Sequence, residues 1–405
     1  MAQLTDDCFA FGGRLLPLDD ALAVIAAIPA VSGVERVLLA EADGRVLAAD
    51  LVAPIDLPPF ANSAVDGYAI HYGNGAVLPL DGRTPAGAIA MPLLPGTARR
   101  ILTGAALPDG ADTVFMQEDV RVEAGQVHLP TGLAQGANTR PAGEDVAAGT
   151  LALPAGRLLR PQDTSLAAAL GIAGLSVRRR VQVALLSTGD ELVEPGAVPQ
   201  PAQRYDSNRV LIAAMLRRAG ASVTDLGIVP DRPDAIEAAL LGCTQFDLIL
   251  TTGGVSAGEE DHVRAAVERL GRLTFWRLAI KPGRPVALGQ VGDAVFLGLP
   301  GNPAAAFVTF FVLARPLLAA LAGAGPDPVW AVPAVAAFAY RKKAGRREYV
   351  RVRLIPGPGG LAAHRHPVEG AGIITSLTET HGLAVLDDDR LAVAVGDALS
   401  VLPYG

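Results

Sequence analysis

A chain of 405 residues, half of them apolar, has the length of two to four domains and can bury sizeable cores. Its formal charge of -7 argues against nucleic-acid binding through net charge, because non-specific affinity for phosphates comes from clustered Lys and Arg. Two cysteines, Cys8 and Cys243, are too few for a disulfide framework or a Cys-type zinc site; a reducing compartment, the cytoplasm, is expected.

In chain order, residues 1–11 carry Asp6 and Asp7 and no basic segment leading into an apolar stretch, which predicts no secretory signal. A helix signal runs from Leu18-Asp19-Asp20 to Ile28, acidic at its start and followed by Pro29. A second apolar stretch covers residues 46–52. From Pro54 to about Arg140 short apolar runs are broken by Gly, Pro and Asp at close spacing, the texture of a small β-rich domain. From Val181 the texture changes to strand runs at 181–187, 223–229 and 247–252, alternating with a helix capped by Ser207 and ending at Gly220 and another opening at Pro233. Such alternation predicts a parallel sheet covered by helices. Asn302-Pro303 opens a long apolar helix to about Ala322. Its longest apolar run, residues 304–314, is too short for a membrane span and reads as a buried helix. After Pro333, alternation over residues 349–354 and runs at 383–386 and 391–402 predict a terminal all-β domain.

Loops leaving the carboxyl ends of parallel strands converge on one edge, and the acidic residues fall there. Asp190 and Glu191 follow the first strand, Asp231 the second, and Glu259-Glu260-Asp261 the third. Carboxylates gathered beside an anionic substrate need a bridging cation, and oxygen ligands suit Mg²⁺; a plainer reading makes Asp190, Asp231 and Asp261 helix caps. Opposing charge comes from Lys281-Pro282-Gly283-Arg284-Pro285, and Pro300-Gly301-Asn302-Pro303 leads into a helix N-terminus suited to an oxyanion. Gly254-Val255-Ser256-Ala257-Gly258 formally matches a nucleophile elbow, with Asp293 and one of His364, His366 or His381 as nominal partners for a serine hydrolase. The close pair His364 and His366 reads as a surface pair, since no third metal ligand is near in sequence.

Taken together, these segments resemble the molybdopterin molybdenumtransferase family, bacterial MoeA and the E domain of gephyrin. The resemblance is carried in order by Gly44-Arg45-Val46-Leu47-Ala48, Asn62-Ser63-Ala64-Val65-Asp66-Gly67-Tyr68, Ile101-Leu102-Thr103-Gly104-Ala105 and Gly143-Glu144-Asp145. It continues through Ser187-Thr188-Gly189-Asp190-Glu191-Leu192, Tyr205-Asp206-Ser207-Asn208, residues 253–261, residues 280–285 and Gly298-Leu299-Pro300-Gly301-Asn302-Pro303. It implies an α/β plus β architecture: a multidomain L-shaped subunit with a linking domain from residues 1–52 and 142–178, an inserted β-rich domain at 53–141, an α/β molybdopterin-binding domain at 179–327 and a C-terminal β barrel at 328–405. It also implies a homodimer whose composite cleft faces the inserted domain of one subunit toward the parallel-sheet domain of the other.

The implied reaction joins molybdate to adenylylated molybdopterin with release of AMP, using Mg²⁺ on Glu191 and Asp261. Its partners are an upstream adenylyltransferase and downstream molybdoenzymes, with neither nucleic acid nor membrane. By resemblance, Thr103, Asp145, Glu191, Asp231 and Asp261 carry activity. Asn62, Ser63, Asp66, Ser187, Gly253, Gly254, Ser256, Pro300, Asn302 and Pro303 bind the pterin substrate. Lys281, Arg284, Arg346, Arg351 and Ser376 hold molybdate, a dianion that guanidinium forks suit. Two positions depart from the family pattern. Ala61 stands where Asp is usual, and Ala305 where Ser is usual, so each deletes a polar group. A paralogue that binds or delivers the pterin without inserting metal is the alternative these departures raise.

Overall fold

The computed structural model describes residues 15–31, 33–255, 262–325, 330–357 and 359–404. The chain divides into two compact units: Arg36–Asp43 with Leu47–Val177, and the remainder.

The smaller unit has two cores. One surrounds the helix Pro161–Ala169 and gathers Val37, Leu47, Leu153, Leu159, Leu175 and Val177. At the start of that helix the Asp163 carboxylate accepts the Arg160 backbone N–H at 3.0 Å and receives Arg157 and Arg160 from either side. Burial opposes the charge of Asp163, but the bonds from Arg157 and Arg160 outweigh it and hold the group down at about 2. The second core belongs to a six-stranded sheet of β1 (Gly67–Ile70), β2 (Val77–Thr84), β3 (Ala98–Ile101), β4 (Thr113–Met116), β5 (Arg121–Glu123) and β6 (Gln126–His128), in spatial order β4-β1-β3-β2-β6-β5. Only the β2–β3 pairing is parallel. Ile70, Leu78, Phe115 and Val127 fill one patch beneath it, and Ala69, Ile101 and Val114 another. The broken apolar texture of the sequence corresponds to these short strands.

The larger unit carries the predicted alternation: β7 (Gln182–Thr188), α1 (Ser207–Arg218), β8 (Ser222–Val229), α2 (Pro233–Leu241), β9 (Leu248–Thr252) and α3 (His262–Leu270). Three strands absent from the sequence reading complete the sheet: β10 (Gly271–Arg277), β11 (Pro285–Val291) and β12 (Ala294–Leu299), in the order β8-β7-β9-β12-β11-β10. Strands β8, β7, β9 and β12 are parallel, and β11 runs against both of its neighbours, so the sheet is mixed. Side chains alternate between faces, as the pleat requires. Leu185 and Leu250 join a core with Ile212 and Leu216 of α1, while Leu186 and Ile249 join one with Ile236 and Leu240 of α2 and Val263 of α3. The cap of α1 is Asp206, whose carboxylate accepts the Arg209 N–H at 3.1 Å; Ser207, expected as the cap, is the first helical residue.

The helix opened by Asn302-Pro303 runs to Leu321 and is long and apolar enough to cross a membrane, yet 78% of it is buried in the protein's own core. Residues Phe310–Ala314 form a π turn. Pro316 has no N–H to give to the carbonyl four residues back, and a wider turn just before it is the local answer to that loss. Beyond it, β13 (Val332–Ala336), β14 (Arg347–Gly357), β15 (Gly360–Arg365), β16 (Gly382–Leu386) and β17 (Ala398–Pro403) pair in the closed ring β14-β15-β13-β17-β16-β14 around Ala336, Val352, Ala363 and Val401. This is the expected terminal barrel. The apolar run at 391–402 is two strand pieces, interrupted by a turn at Gly396.

Candidate functional site

The chain crosses from β7 to β8 on one side and then to β9 on the other, so the carboxyl ends of β7 and β9 flank the crevice where open α/β sheets take ligands. Ser187 and Thr252, at those two ends, share a buried hydroxyl–hydroxyl bond of 2.6 Å. Gly253 follows with a positive φ of 92°, and a Cβ there would lie 2.8 Å from the Thr188 carbonyl oxygen. A side chain would force the strand ends apart, so this glycine sets the width of the rim. Its N–H donates to Leu299 at the end of β12, and Asn208 of α1 donates to the Gly301 carbonyl at 2.7 Å. Gly253, Gly254, Asn208 and Pro300-Gly301-Asn302 thereby form one floor.

The acidic residues of this rim are only partly gathered. Asp190 accepts the backbone N–H of Asp231 at 3.0 Å, tying the loops after β7 and β8 together, and neither residue caps a helix. Glu191 accepts Arg204 at 2.6 Å. Among the described residues the buried Thr188 hydroxyl has no hydrogen-bond partner. These are hard oxygen donors, the set Mg²⁺ takes. Ser256 and Asp261 lie outside the described residues, and among those described no cluster of three His, Cys, Asp or Glu side chains is placed to hold a metal. Asp293 precedes β12 and so lies at the opposite end of the sheet from Gly254. Five strand residues at about 3.3 Å each separate those edges, which removes it as an elbow partner.

Beside the floor opens a cavity of about 500 Å³, bounded by the cationic turn at 281–285, by Pro300, Asn302 and Ala305 at the helix start, and by the barrel edge. Its charged lining is Lys281, Arg284, Arg346, Arg351 and Arg365 against Glu348 and Glu369. The turn is placed by two features. Ile280–Lys281 pairs in parallel register with Arg347–Glu348 at the start of β14. Gly283, at a φ of 112°, packs so closely on the helix that a Cβ would overlap the Thr309 hydroxyl.

The cations are held differently. Glu348 is 1% exposed and accepts Arg346 at 2.8 Å and the Tyr340 hydroxyl at 2.7 Å, with Lys281 3.3 Å away and also donating to Tyr340 at 2.9 Å. Burial alone would lower the pKa of Lys281, but Tyr340 and Glu348 outweigh it and raise it. Arg365 pairs with Glu369. Arg284 and Arg351 have no ion-pair partner among the described residues; the one hydrogen bond shown for Arg351 goes to the Gly370 carbonyl at 3.1 Å, its Nε is buried without a partner, and burial lowers its pKa. Four of the five residues expected to hold molybdate therefore meet in one cavity. The fifth does not: Ser376 is fully buried and donates its hydroxyl to the Ile373 carbonyl, a bond internal to its own turn. Sequence reasoning missed Glu348 and Arg365, which β14 and β15 carry, and Tyr340, which a separate short strand paired with Ala392–Val393 brings in. His366 also corrects the surface-pair expectation: it is 7% exposed, lines the cavity and is bonded to Val368 and Glu379.

The smaller unit gathers its own expected residues. Asp66 accepts both the backbone N–H and the hydroxyl of Thr103, each at 2.7 Å, and those bonds, helped by Arg100 and Arg83, lower its pKa. Gly104 donates to the Ser63 carbonyl at 2.8 Å. Asn62 and Ser63 are buried and spend their side chains on the carbonyls of Phe60 and Val65, which makes them builders of the loop. Asp145 is exposed, its N–H on the Leu57 carbonyl, at the other end of the 57–63 segment. Ala61 is exposed between them.

Residues 16–171 match the family model described as MoeA N-terminal region (domain I and II), residues 184–320 a probable molybdopterin binding domain, and residues 333–404 the MoeA C-terminal region (domain IV). The chain is 37% identical to the molybdopterin molybdenumtransferase of Haemophilus influenzae, covering 96% of this chain and 99% of that protein. It is 37% identical to molybdopterin molybdenumtransferase 2 of Mycobacterium tuberculosis, over 90% of this chain and 93% of the relative. Among solved structures it is similar to the molybdopterin biosynthesis MoeA protein of Pyrococcus horikoshii, at 28% identity and a TM-score of 0.82, covering 96% of this chain and 100% of that one.

Proposed function

This chain belongs to the MoeA family of molybdopterin molybdenumtransferases, and on that premise we propose that it joins molybdate to adenylylated molybdopterin with Mg²⁺-dependent release of AMP. It acts in molybdenum cofactor biosynthesis, with molybdopterin and molybdate as its substrates. The observation that carries the finer reading is the cavity in which Arg284 and Arg351, free of carboxylate partners among the described residues, stand beside Lys281 and Arg346, next to the floor formed by Gly253 and Asn302. A tetrahedral dianion there meets fixed cations, and the adjoining crevice takes the pterin phosphate. Glu191 and Asp261 would hold Mg²⁺, which when bound neutralises phosphoanhydride charge. Thr103 orients Asp66 in the smaller unit, and a homodimer with a composite cleft, in the cytoplasm, completes the reading.

Purified protein given adenylylated molybdopterin, molybdate and Mg²⁺ is expected to release AMP; release no faster than in a protein-free control would sink the reading. A second reading, a protein that binds or delivers the pterin without turnover, is favoured by Ala61 and by Ala305, which lines the cavity without a hydroxyl. It predicts pterin binding without AMP release, and a gain of AMP release in Ala61→Asp.

A further inference from the structure

Two of the cavity's cations share one buried carboxylate, which offsets one of their two charges. Glu348 lies 1% exposed in the cavity lining, with Arg346 on one carboxylate oxygen and Tyr340 and Lys281 on the other. Tyr340 links the arrangement by donating to Glu348 and accepting from Lys281, and the strand register that sets Lys281 opposite Glu348 fixes it in the backbone. A buried carboxylate in a pocket for dianions works against binding unless it does something else. Here it does two things. It holds Lys281, Arg346 and Tyr340 in one geometry before any ligand arrives, and it cancels charge that would otherwise retain any small oxyanion, sulfate and phosphate included.

We propose that Glu348 is the affinity-setting positioning residue of this cavity: a resident counter-anion that keeps Lys281 and Arg346 in place and leaves Arg284 and Arg351 as the cations free to take a tetrahedral dianion. The inference rests on the reading of the cavity as an oxyanion site. Binding of free anions is thereby held weak, so that a dianion stays only when a second substrate in the neighbouring crevice adds its own contacts.

The test is Glu348→Gln in the full-length protein, which removes the charge, keeps the size of the side chain and leaves one acceptor oxygen, for Arg346 or for Tyr340 but not for both. Titration calorimetry with molybdate and, separately, with sulfate is expected to show Kd falling about tenfold for both, the scale of one unit charge acting on a dianion in a partly screened site. In turnover, KM for molybdate falls with it while kcat does not rise. A merely structural role gives the opposite: affinity unchanged or weaker in a variant that melts like the wild type, and that result overturns the proposal. Wild-type crystals soaked in tungstate supply a measurement that needs no variant. Tungstate on Arg284 and Arg351 with Arg346 still on Glu348 supports it, and tungstate displacing Glu348 from Arg346 overturns it. Absence of any molybdate binding to the Glu348→Gln variant removes the cavity reading and this inference with it, whereas tighter sulfate binding in the variant without AMP release by the wild type upholds the inference and sinks the reaction.

Discussion

The rim at the ends of β7 and β9 and the cavity beside it meet at Pro300 and Asn302, yet they are built by different means. The rim is made of contiguous sequence: Ser187-Thr188-Gly189-Asp190-Glu191 and Thr251-Thr252-Gly253-Gly254 each place backbone, hydroxyl and carboxylate within a few residues of a strand end. The cavity draws single residues from a turn, a helix start and two barrel strands, held together by strand register and one buried carboxylate. Backbone-built sites tolerate side-chain change and fail when a glycine is filled. Sites built by convergence fail when one charge is removed.

The largest expected effect breaks the convergent half. Arg351→Gln leaves the barrel intact and lowers kcat/KM for molybdate roughly 100-fold, since truncating a half-buried charged group that pairs with the dianion costs about 2–5 kcal/mol; steady-state AMP release at varied molybdate measures it, and a loss under threefold would assign the dianion elsewhere. Next comes a pair of glycine substitutions that sharpens the contrast. Gly283→Ala and Gly253→Ala each demand a positive φ of an alanine and meet a neighbour too close, so each destabilises by about 2 kcal/mol in urea unfolding. Their kinetic signatures should separate: Gly283→Ala raises KM for molybdate, Gly253→Ala raises KM for the pterin substrate, and identical signatures would mean that the two halves are one site. The smallest is Ala305→Ser, which returns a hydroxyl to the cavity wall and is expected to improve KM for molybdate two- to threefold, the scale of one added hydrogen bond.

The same contrast explains what the sequence disclosed. Strand runs of Val, Leu and Ile bounded by Gly and Asp announce β7 to β9 and their loops, because hydrophobic burial on both faces leaves a local pattern. Strands β11 and β12, a tight hairpin across Gly292, went unread because Gly289, Gly292 and Gly298 break their apolar runs into short pieces. Lys281 and Arg284 were found within one turn motif. Arg346 and Arg351 came only with the family resemblance, and Glu348, one residue among Arg and Tyr in an alternating strand, carries no local mark of facing Lys281, since strand pairing over more than sixty residues decides it. Ser376 failed for a related reason: its hydroxyl is satisfied at short range by Ile373, a competition that spacing does not display.

The π turn at Phe310–Ala314 bears on how this site keeps its shape. One extra residue in a turn rotates everything before it by about 100° relative to everything after. The first half of the helix, with Ala304 and Ala305, is thereby phased to the cationic turn, and the second half, with Leu317, Leu318 and Leu321, is phased independently to the N-terminal helix Leu18–Ala26. A regular helix of the same sequence could satisfy one azimuth only. The helix behaves as two gears on a single shaft, so changes in packing near Leu18 need not turn the cavity wall at Ala305.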